Sequence, residues 1–347
     1  MKRSFILFTA FCLSAGTHLF AQKKNYQVGV VAFYNFENLF DTEDDPYKND
    51  EEFTPDGAYH YTTEIYQQKL HNLATVLQQL GTDKTPDGPA IIGTAEIENG
   101  KVLTDLANQP EIKERNYQYV WFDGPDPRGI DVAMLYNPKY FKVLSARPIR
   151  VSLSNTGGKE LTRDILYVNG IFVSDTIHVL VNHWPSRRGG ESATAGKRAI
   201  VASMNKQIAD SLVKINPNSK ILIMGDLNDD PVDNSVTKFL GAKKEKATTK
   251  LTELYNPWAD FYKQGVGTLG YNDSWNLFDQ IIISGSLLNP KETSWKYYKA
   301  EIFNKDFLIE NFGRYKGYPH RSFSGTTWIN GYSDHLPVMV YLVKEIH

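Results

Sequence analysis

Asp226 and Asn228 stand directly behind the apolar run Ile221-Leu222-Ile223-Met224-Gly225, and Asp229, Asp230 and Pro231 follow them. Ile221 to Met224 reads as a buried strand, Gly225 as the residue that ends it, and Pro231 as a bar to further ladder pairing. Carboxylates at the mouth of a strand suit a hard divalent cation or a phosphate-handling site. Taken alone, the same residues favour a polar turn closed by an Asx-type hydrogen bond.

Recurrence gives the motif its weight. Asn35 and Glu37 follow the apolar stretch Val28–Tyr34, and in extended geometry they share a face. Glu96 follows Ala90–Ala95, and His183 and Trp184 follow Ile177–Asn182. Asp131 and Asp279 are charges inside apolar strands, which need partners if buried. Asp334 and His335 precede the last apolar run, Val338–Val343. Metal-assisted hydrolysis of a phosphoester needs such groups. Charge on the non-bridging oxygens must be stabilised, a water oriented and deprotonated, and the leaving oxygen stabilised. Mg²⁺ takes one or two carboxylates and fills its shell with water and substrate oxygens, which suits Glu96 with Asn35 and Glu37.

These residues must be carried by alternating strands and helices. Ile65, Leu70, Leu73, Val76, Leu77 and Leu80 recur at helical spacing, with Gly81 as a C-cap. Tyr117–Phe122 and Ile130–Tyr136 read as strands, Phe141–Val151 and Ile165–Val173 as a strand pair, and Ala199–Leu212 as an amphipathic helix. The acid-rich stretch 41–52 reads as a solvated loop, because no Gly-punctuated calcium spacing appears. The aromatic stretch 303–331 has no clear period. No repeat or low-complexity linker divides the chain, so one α/β domain over 24–347 is the simplest organisation.

At 347 residues, with 41% hydrophobic content, the chain can bury a large core. A net charge of −2 argues against gripping long nucleic acid through a broad basic face, though it leaves metal-assisted attack on a phosphate ester open. Residues 1–21 read as a signal peptide: Lys2 and Arg3, an apolar run from Phe5 to Leu13, and small residues before a cut after Ala21. Cys12, the only cysteine, lies within it, so the mature chain would carry no thiol. Export to a periplasm or the medium is expected. No stable membrane insertion is expected, because the apolar run is too short to span a bilayer, and a monomer is expected in solution.

The set Asn35-x-Glu37, Glu96, Arg128-Gly-Ile-Asp131, Asn182-His183-Trp184, Gly225-Asp226-Leu-Asn228, Asp279 and Ser333-Asp334-His335-Leu-Pro337 resembles the endonuclease/exonuclease/phosphatase superfamily of DNase I-like phosphoesterases. The resemblance covers nearly the whole mature chain in order. It implies a four-layer α/β sandwich, two mixed sheets face to face with helices outside, and a site at one end of the sheets. It further implies Glu96 as principal metal ligand with Asn35 and Glu37 beside it, and Asp226 and Asn228 positioning the attacking water and the phosphate. His335 would contact the phosphate with Asp279 orienting its ring, and Asp334 would support the base or the metal. His183 would be a second phosphate-side histidine, with Asp131 as its orienting partner. His60, His71, His178, His320 and His347 have no counterpart in that pattern.

The expected activity is therefore divalent-metal-dependent phosphoester hydrolysis, with Mg²⁺ first and Mn²⁺ or Ca²⁺ as alternatives. The expected substrate is nucleic acid first, with phospholipid, inositol-type phosphate or sugar phosphate as alternatives, and a non-catalytic binding protein of the same fold as the contrasting class. The stretch 182–197 and the segment 303–331 are expected to form the rim that selects substrate. There Arg187 and Arg188 would serve as phosphate contacts, and Trp184, Tyr315 and Tyr318 as planar surfaces; Arg128, outside both stretches, is expected to bind substrate as well.

Overall fold

The computed structural model describes residues 25–153, 161–288 and 294–346. Residues 1–24 with Cys12, 154–160, 289–293 and His347 lie outside the described residues. In chain order the first strands are β1 (Asn25–Leu39), β2 (Ile91–Ile97), β3 (Gln118–Trp121), β4 (Asp131–Tyr136), β5 (Phe141–Ile149), β6 (Ile165–Phe172), β7 (Asp175–His183) and β8 (Lys220–Asp226). They continue as β9 (Leu254–Tyr255), β10 (Leu269–Tyr271), β11 (Ser274–Asn276), β12 (Asp279–Ser284), β13 (Lys296–Ile302), β14 (Phe323–Ser324), β15 (Thr327–Trp328) and β16 (Val338–Ile346). The helices are α1 (Thr63–Gln79), α2 (Gly100–Ala107), α3 (Glu191–Ile215) and the short α4 (Ala259–Lys263).

Two mixed six-stranded sheets result, one ordered β13-β16-β1-β2-β4-β3 and the other β5-β6-β7-β8-β12-β9. The central strands are apolar on both faces because both are covered. In β1, Val30, Ala32, Tyr34 and Phe36 pack toward Leu70, Leu73 and Leu77 of α1 and Leu103 and Leu106 of α2, while Val31 and Phe33 face the second sheet. In β8, Leu222 and Met224 meet that same inter-sheet core, while Ile221 and Ile223 turn toward Val201 and Ala209 of α3. The period of two thus sorts one strand's side chains between two cores. Each fully buried side chain of this kind contributes about 1.5–3 kcal/mol. The layers run helix, sheet, sheet, helix: the four-layer sandwich expected from the sequence.

Local chemistry sets the helix ends. Thr62 caps α1 by accepting the Ile65 amide with its hydroxyl at 3.4 Å. The helix α3 begins at Glu191, eight residues before the expected start at Ala199. Its first turns bury Thr194 and Arg198, polar residues that break the apolar period by which a helix is recognised. A second difference concerns Gly225, which lies inside β8 rather than ending it. A Cβ there would sit 2.2 Å from the carbonyl oxygen of Asn182 on the neighbouring strand, so close approach of β7 and β8 requires glycine.

Register then assembles the polar residues. Parallel pairing of β7 with β8 sets His183 opposite Asp226, and antiparallel pairing of β12 with β8 sets Asp279 opposite Asp226. In the first sheet Asn35 lies beside Ala95, and the ladder is interrupted at Glu96.

Candidate active site

Residues with left-handed backbone cluster at these strand ends: Glu37 (φ 49), Asn38 (φ 55), Glu96 (φ 62) and Asn228 (φ 49). Non-glycine residues in that region store strain and persist only where neighbours over-determine them. Here the neighbours are visible. The Asn38 amide donates to Glu96 Oε2 at 2.9 Å, and the Asn228 amide to Asp226 Oδ1 at 2.9 Å. The turn at Glu37 also breaks the extended geometry that would have put Asn35 and Glu37 on one face.

Asn35 is fully buried and acts as a bracket. Its Oδ1 accepts the Glu37 amide at 2.9 Å, which leaves its Nδ2 to donate to Glu96 Oε1 and to Asp226 Oδ2, each at 3.3 Å. In this arrangement Asn35 ties two carboxylates together as a donor, and its Oδ1, accepting one amide, keeps a second lone pair. Glu37 departs from expectation. Its Oε2 accepts the Ser322 amide at 2.7 Å, and burial together with the Asp334 charge pushes it up to about 7. It is thereby anchored to the 303–331 segment.

Two histidine rings converge on one oxygen. His183 Nε2 lies 3.6 Å and His335 Nε2 3.9 Å from Asp226 Oδ2. Their electrostatics differ. Burial works to lower His335, but Asp279, Asp334 and Asp226 outweigh it, and the ring is held well above the usual histidine range. Its Nδ1 lies 2.7 Å from Asp279 Oδ2. His183 is pushed well below that range by burial, with the Arg163 and Arg128 guanidiniums adding to the effect. One ring is thus charged and the other neutral at neutral pH, a separation that assigns them different work. Asp226 is itself pushed up, by burial first and then by the Asp279 charge.

Asp131 does not back His183. Its Oδ2 accepts the Gly124 amide at 3.0 Å, burial raises it to about 7, and His183 Nδ1 has no hydrogen-bond partner. The Asp279–His335 pairing is present as expected; the Asp131–His183 pairing is not.

For a cation, no group of three or more His, Cys, Asp or Glu among the described residues is gathered to hold an ion alone. The donors are nevertheless hard oxygens in a site crowded with carboxylates: burial raises Glu37 and Asp226, the Asp334 and Asp279 charges add to it, and a cation would offset that repulsion. That fits Mg²⁺, which needs few protein ligands. Glu96 is the carboxylate suited to hold it. Asp334, half-exposed, lies 3.8 Å from His335 Nε2 and 3.5 Å from the Arg321 guanidinium.

The rim needs correction too. Trp184 is fully buried, its Nε1 donating to Asn182 Oδ1 at 3.1 Å, so it offers no face to a substrate. Arg187 is consumed internally: it donates to the Asn228 carbonyl at 2.9 Å and meets Glu191, Asp229, Asp230 and Asp233. Arg188 is exposed and has no ion-pair partner among the described residues. Arg128 is half-exposed and forked onto Asp126 at 3.2 Å. Tyr315 lies under the Arg321 guanidinium at 4.4 Å, and the Tyr318 hydroxyl contacts Asp273.

Sequence reasoning missed residues that act through others. Buried Arg163 donates to Asp126 Oδ2 (3.1 Å) and to the Trp184 carbonyl (2.7 Å), which also accepts Asn228 Nδ2 at 2.9 Å. Buried Lys69, from α1, donates to the Glu37 carbonyl at 2.7 Å and the Ser322 hydroxyl at 2.6 Å. An arginine or lysine on an otherwise apolar face was the available signal.

Several solved structures share the fold at low identity. Humanized D. rerio TDP2 is 13% identical with a TM-score of 0.53, over 91% of this chain and 98% of that one. A Bacteroides thetaiotaomicron mannosyl-6-phosphatase is 16% identical with a TM-score of 0.52, over 90% and 99%. The human Nocturnin catalytic domain with bound sulfate is 13% identical with a TM-score of 0.51, over 93% and 98%. No curated protein matches the chain significantly. A model of the Endonuclease/Exonuclease/phosphatase family matches residues 30–344, and the chain accordingly belongs to that family of phosphoester hydrolases.

Proposed function

We propose that the chain is an exported, Mg²⁺-dependent phosphodiesterase whose substrate is nucleic acid. The observation that supports it best is the convergence of His183 and His335 on Asp226, which leaves one place where a phosphoryl group would meet all three side chains. Bound at Glu96, Mg²⁺ would supply positive charge to the non-bridging oxygens and ease deprotonation of water.

The chain's own groups do the rest. Asp226, fixed by the Asn228 amide and Asn35 Nδ2, takes a proton from the attacking water as its oxygen bonds to phosphorus. His335, charged and held by Asp279, donates a hydrogen bond from Nε2 to a phosphoryl oxygen, while the leaving oxygen departs with the electron pair of its bond to phosphorus and takes a proton from solvent. Neutral His183 donates from Nε2 without adding a second positive charge. Export rests on the character of residues 1–21.

The test is a turnover panel of DNA, RNA, a phospholipid and a sugar phosphate, each with Mg²⁺ and with chelator, on wild type and Glu96→Gln. Diester hydrolysis that needs Mg²⁺ and drops sharply in Glu96→Gln is expected. Full activity in Glu96→Gln with unchanged metal dependence would remove Glu96 as the ligand, and turnover confined to the sugar phosphate would replace the diesterase reading.

A further inference from the structure

A groove of 610 Å³ runs beside the site, between the loop Ser186–Glu191 and the hairpin β10–β11, lined also by Leu269, Tyr271, Asn276 and Phe278. Its lining adjoins residues of the reacting centre. Leu269 forms an isolated bridge with His335, Phe278 precedes Asp279 in the chain, and Ser186 follows His183 by three residues.

Its chemistry is mixed in a particular way. Leu269, Phe278 and Tyr271 supply apolar and aromatic surface, and the Tyr271 ring is 65% exposed at the hairpin tip, with no ring contact among the described residues. An exposed aromatic ring at a cleft mouth offers a face on which a planar group can stack. Phe278 is set from one side by the Arg187 guanidinium, 4.6 Å from its ring centroid.

The two neighbouring arginines divide their tasks. Arg187 is held by acids, whereas Arg188 has none among the described residues and stands exposed at the groove. Gly189 (φ 91) and Gly190 (φ 111) follow it in left-handed backbone. A Cβ at Gly189 would meet nothing within 4 Å, so the glycines answer the turn of the loop and not crowding. A free guanidinium is a forked donor for a phosphate.

We propose that this groove is the subsite for the organic part of the ester, and that it takes a planar ring carrying a second phosphate one linkage away: the ring on exposed Tyr271, with buried Phe278 as part of the groove wall, and the phosphate on Arg188. This rests on the nucleic-acid diesterase reading and adds to it the residues that would hold the base and the neighbouring phosphate. A simple alkyl ester would fill neither part, and a lone sugar phosphate would lack the ring.

Three substrates separate the parts: methyl p-nitrophenyl phosphate, thymidine 5′-(p-nitrophenyl phosphate) and the oligonucleotide d(T)4, each assayed with Mg²⁺ on wild type, Tyr271→Ala and Arg188→Ala. Stacking on an aromatic ring changes affinity by roughly tenfold per base. We therefore expect wild type to prefer the thymidine ester to the methyl ester by about tenfold in kcat/KM. Tyr271→Ala should shrink that ratio through KM. Arg188→Ala should leave that ratio in place and lower the further preference for d(T)4, with a weaker salt dependence. If hydrolysis occurs but both ratios stay the same in the two variants, the groove is not the subsite. If no substrate is hydrolysed by wild type, the diesterase reading itself falls, and the groove with it.

Discussion

His335 Nδ1 and Asp279 Oδ2 are 2.7 Å apart, while His183, facing the same Asp226 oxygen, has no partner on its Nδ1. One carboxylate therefore makes two otherwise similar rings unlike. The Asp279 charge, with those of Asp334 and Asp226, raises His335 above its ordinary range against the pull of burial, and His183 receives no such support.

The consequence is a pH profile. His335 works as the charged ring, so activity is lost as pH rises through its raised pKa. Asp279→Asn removes the largest raising influence, and the alkaline fall in kcat should move toward lower pH. Steady-state profiles of wild type and Asp279→Asn check this. An alkaline limb at the same pH in both would show that His335 does not carry the essential proton.

Arg187 and Arg188 should separate by stability. Removing Arg187 leaves Asp229, Asp230 and Asp233 without their shared cation and strips a contact from Phe278. Breaking a buried pair from one side costs about 3–5 kcal/mol, and partial exposure reduces that to roughly 2 here. Arg188→Ala touches no internal network and should shift stability by less than about 0.5 kcal/mol. Urea denaturation of the two variants checks this; equal midpoints would mean that Arg187 is not structural.

The strand-end pattern made much of the site legible, because a carboxylate, amide or histidine closing an apolar run is a local signal. Asp226, Glu96 and His183 were found that way, Asp279 as a charge within an apolar strand and His335 just ahead of one; the sheet registers bring His183 and Asp279 to Asp226, Asn35 ties in Glu96, and Asp279 holds His335. What stayed hidden depends on meetings far apart in the chain. That Trp184 points inward follows from its bond to Asn182 and its packing under α3. Asn35 turns its Nδ2 to the carboxylates because its oxygen accepts the Glu37 amide in a turn that extended geometry would not contain. Lys69 reaches Ser322 across 253 positions, and no spacing rule spans that distance.

Away from the site, Asp175 offers a test of stability against pH. Burial works to raise its pKa, but the Ser294 hydroxyl (2.6 Å), the Trp295 amide (3.1 Å) and Lys220 (3.1 Å) outweigh it and hold the carboxyl below its usual range. A depressed folded pKa means stability that is fully present above the unfolded value near 3.9 and is lost as pH falls through the folded one. Asp175→Asn should thus cost about 1–3 kcal/mol at pH 7, and the gap to wild type should close in strong acid. A gap independent of pH in chemical denaturation would assign the loss to packing alone.

The central claim is that Asp226 handles the attacking water between the two histidines, and initial rates of bis-p-nitrophenyl phosphate hydrolysis at saturating Mg²⁺, wild type against Asp226→Asn, test it most directly. Asparagine keeps the shape and can still accept the Asn228 amide, but cannot take the proton. A fall in kcat of about 10²–10⁴ with the fold intact by circular dichroism is expected. A variant that retains wild-type kcat would contradict the account.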